Sequence, residues 1–236
     1  MLTLLYVLFV SAFAYASWQA FRIYHVGRSS YALLLLFVLV GLIYDTLTIL
    51  IGRFVGEGEA LKSLNGGRYL VHALVTPALI IFAFGVLRNA GVTWAQTRTS
   101  HTIVCVFATL LIAIGAYEDV FALDLHVREV ADTVRYVNEG GMKGPPIPAM
   151  ISIFFLIGAG LVLWRRTGWR LLAAGSLFML IAAGVGTGDR FYFGNLGEIV
   201  LSAASVLTAR RFLSRQQGIP SQETARSKLV PIDDHS

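Results

Sequence analysis

Three acid–base side chains, Asp45, His72 and Glu198, lie inside long apolar segments of the chain. Carboxyl and imidazole groups are common proton donors and acceptors in enzymes, and ionisable groups at membrane depth are hypotheses for functional sites. Asp45 precedes Gly52 by seven residues, and His72 follows Gly66 by six. At a helical rise of about 1.5 Å per residue, both lie roughly 10 Å below the outer ends of their helices. This shared depth predicts a proton-transfer site formed by Asp45, His72 and Glu198.

Further polar side chains extend the predicted site toward substrate binding. Arg68, His72 and Thr76 are spaced four residues apart and therefore lie along one helix face. The candidate substrate-binding residues are Tyr44, Arg68, Thr76, Tyr117, Glu118, Asp189, Arg190 and Tyr192. A structural interpretation competes with the catalytic one, since an ion pair between Asp45 and Arg68 would hold two helices together. The sequence leaves both interpretations open.

Long apolar runs must position these side chains. The chain has 236 residues, of which 56% are hydrophobic and 14% charged, whereas a soluble domain carries about a quarter charged residues. Runs near the ~20 residues that cross a ~30 Å hydrocarbon core occupy 1–22, 31–52, 66–87, 101–119, 147–164, 169–187 and 195–213. Lipid cannot satisfy open backbone groups, so each run is expected to be a helix. The sequence predicts an all-α, polytopic membrane protein with seven transmembrane helices.

Charge distribution predicts the orientation of this bundle. Twelve of the 19 Lys and Arg residues follow runs one, three and five or lie near the C-terminus. The positive-inside rule then places the N-terminus outside and the C-terminus in the cytoplasm, as a multi-pass protein of the cell membrane. Residues 1–215 are predicted to form one transmembrane domain. Residues 216–236 are polar, contain Pro220 and Pro231, and are predicted to be a disordered cytoplasmic tail.

The segment 120–146 is long for a connection between helices. Its first half is predicted to form an amphipathic surface helix, and its glycine-rich second half to act as a flexible turn or lid. Asp124, His126 and Glu129 could bind a metal ion, but their spacing matches no metal signature, so no metal site is predicted. The single cysteine, Cys105, excludes an internal disulfide and a cysteine-based metal site.

The sequence GRYLVHALVTPALIIFAFGVL resembles the third helix of microbial rhodopsins. That helix carries an Arg-Tyr pair and a Thr-Pro pair eight and nine residues after the arginine, and Arg68, Tyr69, Thr76 and Pro77 match these positions. The acidic proton acceptor of that family corresponds to Val71, and the seventh run has no lysine to bind retinal. The resemblance implies a seven-helix scaffold around a central pocket, and the missing lysine argues against covalent retinal.

A second resemblance is to membrane-bound terpene cyclases, which are seven-helix proteins of similar size. They use acidic residues in helices two and seven, where this chain has Asp45 and Glu198. The Trp-Glu pair of that family is replaced by Tyr44 and Asp45. The resemblance implies acid–base chemistry on an isoprenoid.

Two functions from different classes are therefore expected. One is a membrane-embedded enzyme that transfers protons to an apolar isoprenoid or lipid in an outward-facing polar pocket, as a cyclase does. The other is a receptor, transporter or binder of a small apolar ligand. The sequence predicts the bilayer and an apolar small molecule as partners, and no cofactor. No nucleic acid is predicted as a partner, because the net charge of +5 is explained by membrane orientation. The oligomeric state is left undetermined.

Overall fold

Seven α-helices form the body of the protein, in a computed structural model that describes residues 2–140 and 146–214. They are α1 (Leu2–Gly27), α2 (Ser30–Val55), α3 (Glu59–Asn89), α4 (Arg98–Ala116), α5 (Ile147–Thr167), α6 (Leu171–Val185) and α7 (Tyr192–Phe212). The predicted helical class is thereby confirmed, with a two-stranded hairpin added to it. The predicted tail, 216–236, lies outside the described residues.

Six stretches within the described residues are long and apolar enough to cross a membrane: α1 to α5, and the segment Gly188–Phe212 that contains α7. The chain is therefore a helical membrane protein. Helix α6 has only 15 residues, fewer than the predicted run 169–187. Its start is delayed because Gly168 ends α5 in a left-handed conformation, with φ of 75°, and Trp169 and Arg170 complete the turn.

Six helices, including α3, pack in a ring, and α4 lies against α3 and α5 outside it. Successive helices contact one another, with close contact between α1 and α2, α2 and α3, and α6 and α7, and the ring closes where α1 meets α7. Helix α3 contacts α2, α4, α5 and α7, and residues 77–87 of α3 are all buried apart from half-buried Ile81. Helix α3 therefore supplies the centre of the apolar core.

Helix α3 begins seven residues before its predicted start at Gly66. The segment 53–65, which separates the second and third predicted runs, contains the end of α2, a short connection at 56–58 and then the first turns of α3. Two glycines inside a helix usually weaken it, but here Gly67 leaves room for the Tyr44 side chain, which a Cβ at that position would strike. Leu61 and Asn65 are fully buried, so packing stabilises this extension.

A β-hairpin replaces the predicted surface helix between α4 and α5. Strands β1 (Leu125–Val130) and β2 (Thr133–Asn138) pair antiparallel, with Val130 opposite Thr133 across a two-residue turn. The helical prediction was wrong because Val, Thr and Tyr recur along these residues, and branched and aromatic side chains favour strands. Alternation along β1 also sends His126 and Glu129 to opposite faces, which separates two of the three residues considered for a metal site.

The hairpin is attached to four helices at one end of the bundle, here called the hairpin end. Asp132 in its turn accepts hydrogen bonds from the Leu2 and Thr3 backbone amides at the start of α1, at 2.9 and 3.2 Å. The Tyr69 hydroxyl of α3 accepts from the Asn138 amide at 2.8 Å. The hairpin also contacts α2 through Gly52 and α7 through Phe191. It therefore covers the hairpin end.

The contact between Gly52 and the hairpin makes a testable prediction. A Cβ at Gly52 would overlap the Val134 carbonyl oxygen, so Gly52→Ala should displace β2 and destabilise the protein by about 1–3 kcal/mol. Trypsin should then cleave faster at Arg128 and Arg135 in the hairpin. The control is Gly158→Ala in α5, where a Cβ meets no atom within 4 Å. Equal cleavage rates in both variants would contradict the docked position of the hairpin.

Candidate functional site

An ion pair between α2 and α3 lies beneath the hairpin. Arg68 Nε donates to Asp45 Oδ1 at 2.9 Å, and the two side chains are only 11% and 10% exposed. Arg68 also donates through Nη1 to Asn65 Oδ1 at 2.8 Å, one turn earlier in α3. The Asp45 carboxylate is therefore engaged by a guanidinium. A charge in so dry a place is tolerated because its partner is close and well oriented.

Glu198 belongs to a separate chain of hydrogen bonds between α1 and α7. The Tyr6 hydroxyl donates to Asn195 Oδ1 at 2.6 Å, and Asn195 Nδ2 donates to Glu198 Oε2 at 3.1 Å. Asn195 and Glu198 are three residues apart, so they lie on one face of α7. One oxygen of the Glu198 carboxyl is thereby held in place by Asn195.

A cavity opens beside Glu198 and extends toward the opposite end of the bundle. Its volume is about 610 Å³, including the part open to the surroundings. Six of its lining residues are polar: His72, Thr76, Ser152, Glu198, Ser202 and Ser205. The others are apolar: Leu35, Val38, Leu39, Leu42, Val75, Leu79, Ala149, Ile153, Leu156, Met179 and Leu201. The pocket was predicted to be polar, but this cavity is mainly apolar with an ionisable end.

That ionisable end is formed by His72 from α3 and Glu198 from α7. Glu198 lies within electrostatic range of His72, and also of Asp45 and Arg68. These four residues from three helices therefore lie in one region of the bundle, but hydrogen bonds join Arg68 to Asp45 and Glu198 to Asn195. His72 and Glu198 line the cavity, whereas Asp45 and Arg68 do not. The two cavity-lining groups are an imidazole and a carboxyl, and groups of both kinds can exchange protons with a ligand.

Arg135 of β2 brings a second guanidinium to the hairpin end. It lies over the Phe191 ring at 3.6 Å from the ring centroid, a cation–π contact that also fixes the hairpin. Its buried Nε atom has no hydrogen-bond partner among the described residues. Burial, with a smaller contribution from the Arg68 charge, lowers the pKa of Arg135 to about 10, so the side chain remains a cation at neutral pH.

Several residues predicted to bind substrate lie elsewhere. Tyr117, Asp189 and Arg190 are exposed at the surface, because the latter two form a short turn before α7 and Tyr117 begins a π-helical extension of α4. Half-buried Glu118 does not line the cavity. Tyr192 packs against Phe191 and Phe193.

Tyr44 also has a structural position. Its hydroxyl donates to the Leu64 carbonyl at 3.0 Å, and its ring lies against Gly67. Of the eight residues predicted to bind substrate, Thr76 alone lines the described cavity.

Four residues of this region were not predicted from the sequence as part of the site: Tyr6, Arg135, Asn195 and Ser205. Tyr6 and Ser205 are uncharged side chains within apolar runs, where nothing indicates which face they occupy. Arg135 was assigned to a surface segment. The spacing of Asn195 and Glu198 was the one available signal, since residues three apart on a helix are neighbours.

Among the described residues, no group of three His, Cys, Asp or Glu side chains is placed to hold a metal ion. His126 pairs with Asp124 at 3.1 Å on the exposed surface of the hairpin.

No protein-family model matches the chain, and no curated protein matches it in sequence.

Proposed function

We propose that the protein is a membrane-embedded enzyme that binds an apolar substrate in the central cavity and transfers protons at the end formed by Glu198 and His72. One observation carries this proposal. The cavity is mainly apolar, and its two ionisable lining residues are a carboxyl and an imidazole on facing helices. Apolar pockets with a few convergent polar groups are the usual form of small-molecule sites.

The roles within the proposed site differ from those expected from the sequence. The sequence placed Asp45 among the proton-transfer residues, but its hydrogen bond with Arg68 occupies that carboxylate. Glu198 takes its place as the acid, since it lines the cavity and is oriented by Asn195. His72 acts as the base. Asp45 and Arg68 are positioning residues that hold α2 against α3 and shape the electrostatic surroundings of Glu198.

The proposed substrate is an isoprenoid or related lipid with a double bond. Transfer of the Glu198 proton to one alkene carbon forms a C–H bond and leaves a carbocation and a carboxylate. His72 then removes a proton from a carbon adjacent to the cation and forms a new double bond. Between turnovers His72 loses this proton to water and Glu198 takes up a proton from water, so the net reaction is an isomerisation or a cyclisation without oxidation or reduction. Tyr44, Tyr117 and Tyr192 do not line the cavity, so the carbocation would lie between apolar walls that exclude water.

A second candidate is a binder, receptor or transporter of an apolar ligand that carries out no chemistry. The apolar character of most lining residues favours it, since affinity for such a ligand needs no proton transfer. Transport is the least favoured of these options. It requires a polar path to both faces of the membrane, and the end of the bundle opposite the hairpin is a buried apolar core.

Deuterium incorporation distinguishes the two candidates. Lipids that copurify with the protein are identified by mass spectrometry and then incubated with fresh protein in heavy water. The enzyme should place non-exchangeable deuterium on carbon, because each protonation of the alkene uses a solvent-derived proton. A binder should leave the mass of the lipid unchanged, and that result would refute the proposed enzyme.

We further propose that the protein crosses the cell membrane seven times with its N-terminus outside. Helices α5 and α7 both begin at the hairpin end, so α6 returns across the bundle in spite of its length. Twelve of the 19 Lys and Arg residues lie after runs one, three, five and seven, which supports a cytoplasmic C-terminus.

This orientation predicts the behaviour of fused reporters. Alkaline phosphatase, which is active only outside the cytoplasm, should be inactive when fused after Arg215, and a fluorescent protein there should fold. When inserted into the hairpin turn at Ala131, alkaline phosphatase should be active and the fluorescent protein should not fold. An active phosphatase after Arg215 would reverse the proposed topology.

A further inference from the structure

The first and the last residues of α7 that line the cavity, Glu198 and Ser205, are both polar. Glu198, Leu201, Ser202 and Ser205 all line the cavity, and their spacing of three, four and seven residues places them on one helix face. Glu198 is nearest the hairpin end. Ser205 lies seven residues further along, or roughly 10 Å at the rise of an α-helix.

The Ser205 hydroxyl is fully buried and has no hydrogen-bond partner among the described residues. Buried serines and threonines in helices commonly donate to the carbonyl four residues earlier. Ser152, Ser176 and Thr208 do so here, at 2.6 to 2.7 Å. The Ser205 hydroxyl differs from its neighbours, and a buried hydroxyl without a partner is unfavourable.

Position separates Ser205 from the other unpartnered hydroxyls. Ser17 and Thr46 also lack partners among the described residues, but neither lines the cavity. An unsatisfied hydroxyl on a cavity wall can be satisfied by a ligand atom, whereas one packed among side chains cannot.

We infer that the ligand of this cavity is an elongated apolar molecule with a hydroxyl or carbonyl oxygen that hydrogen-bonds Ser205, roughly 10 Å from the group that meets Glu198. This inference rests on the proposed binding of an apolar substrate in the cavity, and it adds a second recognition point to it. The eleven apolar lining residues then contact the hydrocarbon between the two ends. A plain hydrocarbon would leave Ser205 unsatisfied and bind less well.

The test compares two probes of equal carbon number, 1,8-octanediol and octane, in lipid nanodiscs. Affinity is measured from the rise in melting temperature at increasing mole fractions of probe in the lipid. Ser205→Ala should lower the affinity for the diol by about five- to tenfold, as expected for one hydrogen bond. The affinity for octane should not change, because octane has no oxygen to bind Ser205.

The matched control is Thr46→Val, which removes an unpartnered buried hydroxyl outside the cavity and should change neither affinity. Without a probe, Ser205→Ala should be at least as stable as the unmodified protein, because the lost hydroxyl has no partner. Equal diol affinity with and without the Ser205 hydroxyl would overturn the inference, as would failure of the unmodified protein to bind the diol. Loss of octane binding in Ser205→Ala would also overturn it. Diol binding does not require turnover. The diol measurements therefore test the hydrogen bond to Ser205, and deuterium incorporation separately tests the proposed chemistry.

Discussion

Glu198→Gln should abolish deuterium incorporation into the copurified lipid, lowering its rate by about 10²–10⁴-fold, the usual contribution of a general acid. Glutamine has nearly the same size as glutamate, and its carbonyl oxygen can still accept the hydrogen bond from Asn195 Nδ2. The variant should therefore fold, and it should retain the lipid in the cavity. What it loses is the proton that the proposed first step transfers to carbon.

The same substitution at Glu118 is the control for Glu198. Glu118 is a half-buried carboxyl that does not line the cavity, so Glu118→Gln should incorporate deuterium at the unmodified rate. Retained incorporation in Glu198→Gln would remove Glu198 from the mechanism. Loss of the copurified lipid together with activity would assign Glu198 to binding instead of proton transfer.

Arg68→Met should be among the most destabilising single substitutions in the protein. It leaves the Asp45 carboxylate buried without its guanidinium, which costs about 3–5 kcal/mol in comparable buried pairs. The double variant Asp45→Leu with Arg68→Met removes both charges and should recover most of that loss. The free energy of unfolding can be measured by titration with sodium dodecyl sulfate from mixed micelles.

The ion pair of Arg53 with Asp132 provides a comparison for that of Arg68. These groups lie 3.4 Å apart with side chains 44% and 22% exposed, and exposed ion pairs contribute little to stability because solvent screens them. Arg53→Met should therefore cost far less than Arg68→Met. A double variant as unstable as Arg68→Met alone would show that the ion pair is not what Arg68 contributes.

Asp45→Asn separates the two interpretations of Asp45 that the sequence left open. Asparagine can still accept the hydrogen bond from Arg68 but cannot donate an acidic proton. With Asp45 as a positioning residue, the variant should lose stability and retain deuterium incorporation at a reduced rate. Complete loss of incorporation in a folded Asp45→Asn protein would restore Asp45 as the acid.

The helices, and a common region for Asp45, Arg68, His72 and Glu198, could be predicted because each depends on distance along the chain. Run length identifies a helix that crosses lipid, and a rise of about 1.5 Å per residue places its polar residues at a depth. Rotation about the helix axis is harder to predict in runs that are apolar on all sides. For that reason the sequence did not distinguish Glu198, which lines the cavity, from Asp45, which turns toward Arg68.

The hairpin end was less accessible to sequence reasoning. Residues 125–138 carry the branched and aromatic side chains that are typical of strands. Their position between two long apolar runs nevertheless favoured the prediction of a surface helix. The early start of α3 was hidden because Gly66 and Gly67 resemble a helix break, and only the Tyr44 ring packed against Gly67 explains the glycine there. Such contacts join residues distant in sequence, and a single sequence does not reveal them.

The short length of α6 has a consequence for the surrounding lipid. Its 15 residues span roughly 22 Å, well short of a ~30 Å hydrocarbon core, and Leu177, Phe178 and Ile181 are exposed along it. In the proposed seven-span topology, acyl chains that contact these side chains would have to shorten or disorder to match the helix, and the bilayer would thin on one side of the protein. Hydrophobic mismatch of this kind favours thinner membranes and attracts short-chain lipids, which would make α6 the side on which the local bilayer differs most from the bulk.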